Sequence, residues 1–226
     1  MLRTLSLSVS RSHNGATKTD FSSKTTGFEV ESFDLVNDKN KLQQVLKNYL
    51  HSVISFKNGR ATSSNFEGFL AIPVDFDDGK MTIEQFKNLY SDYSYVLYTS
   101  TNHLEVKSGH ESKGEVERFH ALLPLPETLN LNNDQASALK TLVMREFADG
   151  NPDQKIYNKA AKLYPAKPKN PDKFHMEVNI GKAFNFDLDT IEHEVQVKKN
   201  DVKKQVLTST KKYTASLKVT LSDGKK

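Results

Sequence analysis

The chain of 226 residues has no cysteine. That excludes disulfide scaffolds and thiolate zinc sites, and it fits a reducing compartment such as the cytoplasm of a host or virus-infected cell. It also has no run of about 18 apolar residues, the length a membrane span requires, so no membrane is expected as a partner. The first residues, Met1-Leu2-Arg3-Thr4-Leu5-Ser6, lack the apolar stretch of a signal peptide. No Gly-x-x-x-x-Gly-Lys-Ser/Thr loop is present, which removes an ATPase engine, and no Gly-x-Ser-x-Gly elbow is present. The seven histidines form no His-Glu-x-x-His helix motif.

With hydrophobic content at 36% and charged content at 27%, the chain reads as a soluble globular domain. The net charge of +4 is unevenly placed: from Val195 to Lys226 there are nine lysines against two aspartates. Such a segment suits either phosphates or a solvated, lysine-rich edge strand, and composition alone does not choose between them.

Leu5, Leu7 and Val9 alternate with serines, predicting a half-buried strand. Leu42, Val45, Leu46, Tyr49, Leu50, Val53 and Ile54 recur at three- and four-residue steps, predicting a helix with Asn37 or Asp38 as cap. Phe69 to Asp77 reads as a strand closed by Asp78-Gly79, with Pro73 arguing against full pairing. A helix from Thr82 with Gln85 placed for a capping box turns Ile83, Phe86, Leu89 and Tyr90 inward. Strands follow at Tyr95–Tyr98 and Phe119–Leu123, then a helix over Asn133–Phe147, and Asn185 onward reads as mostly extended. The fold class expected is α+β, with a mixed, mainly antiparallel sheet and flanking helices. The expected organisation is an N-terminal α/β module over about residues 1–70, a catalytic core over about 66–190 and basic C-terminal strands over about 191–226.

Asp75 and Asp77 stand two apart on a strand, so their side chains share a face, with Cα atoms roughly 6–7 Å apart. Two carboxylates held this way call for a cation, and Mg²⁺ or Mn²⁺ answers with affinity for hard oxygen ligands. Asp-rich segments also simply end strands and begin turns. Ser100 to His103 leaves a strand on small polar residues and a histidine, and Arg118 opens an apolar strand where a guanidinium suits a phosphate. An exposed loop histidine and an arginine paired with a surface acid are the plainer readings of the same residues.

In order and spacing, these pieces resemble the archaeo-eukaryotic primase superfamily, in particular the primase-polymerases of phages, plasmids and mobile elements. The resemblance runs from about Gly59 to Pro165. It comprises Arg60 to Asn65, Asp75-Phe76-Asp77-Asp78-Gly79, Tyr98 to His103, Arg118-Phe119 through Pro124-Leu125, and Asp153 followed by Ala160-Ala161-Lys162-Leu163-Tyr164-Pro165. It implies an RRM-like catalytic core that primes or extends DNA or RNA. Asp75, Asp77 and Asp153 would bind two Mg²⁺ or Mn²⁺ ions, with Asp149 as a rival third acid. His103, Arg118 and Lys162 would contact the incoming nucleotide's triphosphate, with Ser100 and Arg60 also in the nucleotide site. Lys162 stands where the family has Arg, which removes a bidentate phosphate contact. The implied partners are a single-stranded DNA template, a primer strand, dNTPs or NTPs, and a helicase of the same replicon.

Two other readings compete. One is a non-catalytic nucleic-acid-binding module of a replication initiator, motivated by the basic C-terminal stretch. The other is a rolling-circle nicking endonuclease, which requires a His-x-His pair that His103 and His110 do not form. A Lys/Arg-Gly-Phe-x-Phe stacking motif is absent.

Overall fold

The computed structural model describes residues 1–11, 23–106, 111–184 and 186–201. The architecture is α+β, built on two sheets in which all strand pairs are antiparallel. Strands β1 (Thr4–Ser10), β2 (Phe28–Asp34) and β3 (Leu50–Ser52) form the first, in the order β2-β1-β3. Strands β4 (Ile54–Phe56), β5 (Phe66–Phe76), β6 (Tyr95–Thr99), β7 (Phe119–Leu129) and β8 (Met176–Asn179) form the second, in the order β4-β5-β7-β6-β8. Helices α1 (Lys39–Asn48), α2 (Ile83–Leu89), α3 (Asn133–Glu146) and α4 (188–201) flank them. One hydrophobic cluster runs from Leu5 to Val195 through both sheets. Among the described residues no helix is long and apolar enough to cross a membrane.

Leu5, Leu7 and Val9 are buried as their alternation requires. Ser8 and Ser10 on the opposite face are buried too, and they are satisfied by donating to the carbonyls of Ile54 (2.6 Å) and Thr26 (3.2 Å). Strand β2 has no counterpart in the sequence reading, because its two core residues, Phe28 and Phe33, fall on opposite phases of the alternation.

Helix α1 ends at Asn48, six residues short of the predicted end at Ile54, and Tyr49 is already extended. Leu50, Val53 and Ile54 are buried, but Leu50 and Ile54 lie on strands and Val53 in the bend between them. Their spacing mimics a helical stripe because both faces of the short strands are covered. Asp38 occupies the N-cap position without a side-chain cap, its carboxylate accepting instead from the Asp34 N–H at 2.9 Å. Helix α2 carries the predicted capping box of Thr82 and Gln85 and buries Phe86 and Tyr90, whereas Leu89 is 60% exposed.

The largest departure is at the C-terminal side. Residues 188–201 are helical, not extended. Ile191 and Val195, four residues apart, insert into the core, and buried Glu194 accepts from Arg145 Nη2 at 3.2 Å. The alternation at Leu217, Val219 and Leu221 lies outside the described residues.

The two sheets are joined by a buried polar link. His51 on β3 is fully buried. Its Nδ1 lies 3.0 Å from the Tyr49 carbonyl, which can only accept, so Nε2 is left to accept from the Tyr98 hydroxyl of β6 at 3.1 Å. Burial holds the imidazole neutral and lowers its pKa to about 4. The unfolded chain, with an ordinary histidine near 6.5, then binds more protons than the folded one between pH 6.5 and 4. Stability from this group is complete above pH 6.5 and falls with acidification, by roughly 3 kcal/mol on reaching pH 4. Urea unfolding at pH 7 and pH 4.5 should record this fall, and His51→Gln should shrink it. An equal fall in the variant would reject the assignment.

Candidate active-site cleft

At the C-terminal end of β5 the chain meets the N-terminal end of β7 and the C-terminal end of β6. Register sets Asp75 opposite His120 and His120 opposite Tyr98, giving one row across three strands. Ile72, Val74 and Phe76 point into the core, and Asp75, out of phase with them, reaches the open face. Strand β4 pairs only with Phe66–Phe69, so Pro73 is paired on β7 alone, which accounts for its tolerance within a long strand.

Asp153, more than 70 residues downstream, is fastened to this strand end by four ties. Its N–H donates to the Asp75 carbonyl at 2.8 Å. The buried Tyr157 hydroxyl donates to the Pro73 carbonyl at 2.6 Å. Asn151 Nδ2 donates to the Asp78 carboxylate at 2.8 Å. Gly150 lies so close to the Phe76 ring that any Cβ would overlap it.

The result is a cleft in two lobes. The larger, about 680 Å³, is lined by Asp75, Asp77, His120 and Asp153, by Ser100-Thr101-Asn102, and by residues 160–167 including Lys162 and Lys167. The smaller, about 560 Å³, is lined by Asp77, Asp78, Lys140, Asp153 and Lys155, with Asn151, Pro152 and Gln154. Asp77, Asp153 and Lys155 belong to both. Asp149 is exposed and lines neither lobe, which separates it from Asp153.

Asp75 Oδ1 lies 3.3 Å from His120 Nδ1, near enough for an ion pair but not aligned as a hydrogen bond. The His120 ring packs on Tyr98 at 5.0 Å between centroids. Burial and the nearby Asp75 charge push the Tyr98 hydroxyl well above its ordinary range, so it stays a neutral donor to His51. Lys162 Nζ donates to the Lys24 carbonyl at 2.7 Å, and partial burial lowers its pKa.

The structure therefore gathers Asp75, Asp77, Asp153, Ser100 and Lys162 around one cleft. Three residues expected at a triphosphate lie elsewhere. Arg118 is wholly buried and lines neither lobe. His103 is 6% exposed, its Nδ1 3.1 Å from both the backbone nitrogen and oxygen of Arg118, and burial lowers its pKa. Arg60 is exposed but outside the cleft, in the turn after β4. Conversely, His120, Lys155 and Lys167 line the cleft without having been singled out. Alternation along β7, with Phe119 and Ala121 inward, was the signal available for His120.

Among the described residues, no three His, Cys, Asp or Glu side chains converge closely enough to hold a metal ion. The chemistry of the donor set nevertheless fits a hard divalent cation: three aspartates share the cleft, and the lysines around them offer no competing soft ligand.

The fold and cleft thus define an α+β protein with three carboxylates at one sheet end. No protein-family model matches the chain, and no curated protein matches it. Among solved structures, the chain is similar to the AEP domain (PP-N190) of the cyanophage S-2L primase-polymerase (PrimPol), with 13% identity over 86% of this chain and 88% of that chain and a TM-score of 0.40.

Proposed function

We propose that this chain is a template-directed nucleotidyltransferase, a primase, a DNA polymerase or both, acting in the replication of a phage, plasmid or mobile element. The observation that carries the reading is the meeting of Asp75, Asp77 and Asp153 in one cleft with Ser100-Thr101-Asn102 and Lys162. These are residues that the sequence resemblance to archaeo-eukaryotic primases had grouped before any geometry was known. Asp75, Asp77 and Asp153 would hold two divalent ions, Mg²⁺ or Mn²⁺, which supply Lewis-acid stabilisation of the attacking hydroxyl and the departing pyrophosphate. Lys155, Lys162 and Lys167 place positive charge where a triphosphate is richest in negative charge. Ser100, Thr101 and Asn102 offer hydroxyl and amide groups to its oxygens. His120 and Tyr98 form the floor beneath Asp75 and limit its movement.

The test is synthesis by the purified chain on single-stranded DNA, with and without a primer, comparing dNTPs with NTPs and Mg²⁺ with Mn²⁺. Incorporation dependent on template and metal supports the reading. Salt-dependent DNA binding without incorporation under any metal would replace it with the non-catalytic replication-initiator module. The third acid is tested in the same assay. Asp153→Asn should lower incorporation about a hundredfold, as loss of a charge-stabilising group does. Asp149→Asn, on the exposed rim outside the cleft, should stay within about twofold of the parent. The opposite ranking would move the third carboxylate to Asp149.

A further inference from the structure

Among the described residues Arg118 is the largest fully buried side chain, a cation in the interior beside the cleft. Burying a guanidinium is costly unless its donors are matched, so its partners show what it is for. Nε faces Asp77 twice: the backbone carbonyl at 3.2 Å and carboxylate Oδ1 at 3.4 Å. Nη1 donates to the carbonyls of Asn102 (2.8 Å) and Glu105 (2.7 Å). Nη2 is buried with no hydrogen-bond partner. The backbone of Arg118 holds the same loop, its carbonyl accepting from Ser100 N–H at 2.9 Å and its N–H donating to His103 Nδ1 at 3.1 Å.

One residue thus grips both the Asp77 carboxylate and both ends of the loop from Ser100 to Glu105. That loop is strained: Leu104 has φ of +52°, a left-handed conformation disfavoured for a side chain with a Cβ. Such a conformation persists only where its surroundings dictate it. Here the Leu104 carbonyl accepts from Lys173 Nζ at 2.7 Å, and its neighbour's carbonyl is held by Arg118. The cleft-lining residues Ser100, Thr101 and Asn102 are the other half of the same loop.

We infer that Arg118 is a positioning residue, an internal brace that fixes Asp77 and the 100–105 loop relative to each other, and not a contact to the nucleotide's phosphates. The inference deepens the proposed function and rests on it for its catalytic consequences, while its structural content stands apart. Lysine keeps the charge but gathers its donors on one nitrogen, so it cannot fill both the Nε position at Asp77 and the Nη1 position at Asn102 and Glu105.

Arg118→Lys is therefore expected to weaken Mn²⁺ binding, followed by electron paramagnetic resonance, by about tenfold or more, the usual effect of removing a group that orients a ligand. The turnover number should fall by about the same factor, with KM for the nucleotide within about twofold. Hydrogen exchange of the 100–105 amides should accelerate while exchange in β1 and β2 does not. A tenfold or greater rise in nucleotide KM, with Mn²⁺ affinity and loop exchange unchanged, would overturn the brace and restore a phosphate fork. Unchanged values throughout would also overturn it. If the variant does not fold, the parent protein decides. The Arg118 Nε–H resonance should be protected from exchange and unmoved by a non-hydrolysable nucleotide; a rapidly exchanging resonance that shifts with the nucleotide would sink the inference. If the parent incorporates no nucleotide, the function reading fails, while loop exchange and the Nε–H signal still test the brace.

Discussion

Asp75→Ala and Asp77→Ala should each reduce nucleotide incorporation by about a thousandfold, with folding intact. The size follows from what the two carboxylates face. Both are partly solvent-exposed at a strand end, so neither holds the core together, and truncation opens no buried cavity. Their neighbours differ, however. Removing Asp75 takes a carboxylate from beside His120, whose side chain keeps some contact with solvent. Removing Asp77 leaves Arg118 buried with the Asp77 backbone carbonyl but without its carboxylate. Asp77→Ala should therefore cost more stability than Asp75→Ala, because an uncompensated buried cation is expensive. Asp77→Asn should recover part of that stability and little of the activity, since a neutral amide oxygen can face Nε but lacks the negative charge a carboxylate brings to a divalent cation. Thermal unfolding and primer extension on the same preparations check both. Normal extension by both alanine variants would remove the cleft from the chemistry altogether.

Much of the lining of this candidate cleft is legible in the sequence, and the limits of that legibility are physical. Local signals worked where the determining contacts are local. The Thr82–Gln85 capping box, the strand ending at Phe76 and the helix over Asn133–Glu146 depend on residues a few positions apart. They failed where tertiary contacts set the answer. Nothing in the spacing of Leu50, Val53 and Ile54 says that His51 will pair with Leu163 and pull the chain out of helix. Nothing within the C-terminal segment says that Ile191 and Val195 will find a core made by other elements. The site residues divide in the same way. Asp75 and Asp77 stand out by their two-residue spacing, but Asp153 joins them only through tertiary ties, its own N–H on the Asp75 carbonyl and the contacts of Tyr157, Asn151 and Gly150. Arg118 was singled out by residue type, and the fold buries it outside both lobes of the cleft. A guanidinium suits phosphate and backbone carbonyls equally well, and only solvent access distinguishes the two.

Phe76→Ala should be the most damaging core substitution for this cleft, because Phe76 stands between the two aspartates and under the third. Its ring packs on Phe119 at 4.8 Å, Phe86 at 5.7 Å and Phe147 at 6.3 Å between centroids, and it is wholly buried. Truncation removes the buried area and leaves a cavity, costing about 3–5 kcal/mol. At about 2–4 °C per kcal/mol for a chain of this size, the unfolding midpoint should drop by roughly 10 °C. A second consequence separates this position from an ordinary core site. The Gly150 turn rests against the ring, so the cavity lies next to the segment that delivers Asp153. Activity per folded molecule, measured well below the lowered midpoint, should therefore fall as well, by about tenfold, the scale on which small misplacements of catalytic groups act. Phe33→Ala provides the comparison: Phe33 is equally buried but lies on β2 in the other sheet, so it should lose similar stability while the folded fraction keeps its activity. If both variants lose stability and neither loses activity per folded molecule, the Phe76 ring supports the core but does not set the position of Asp153.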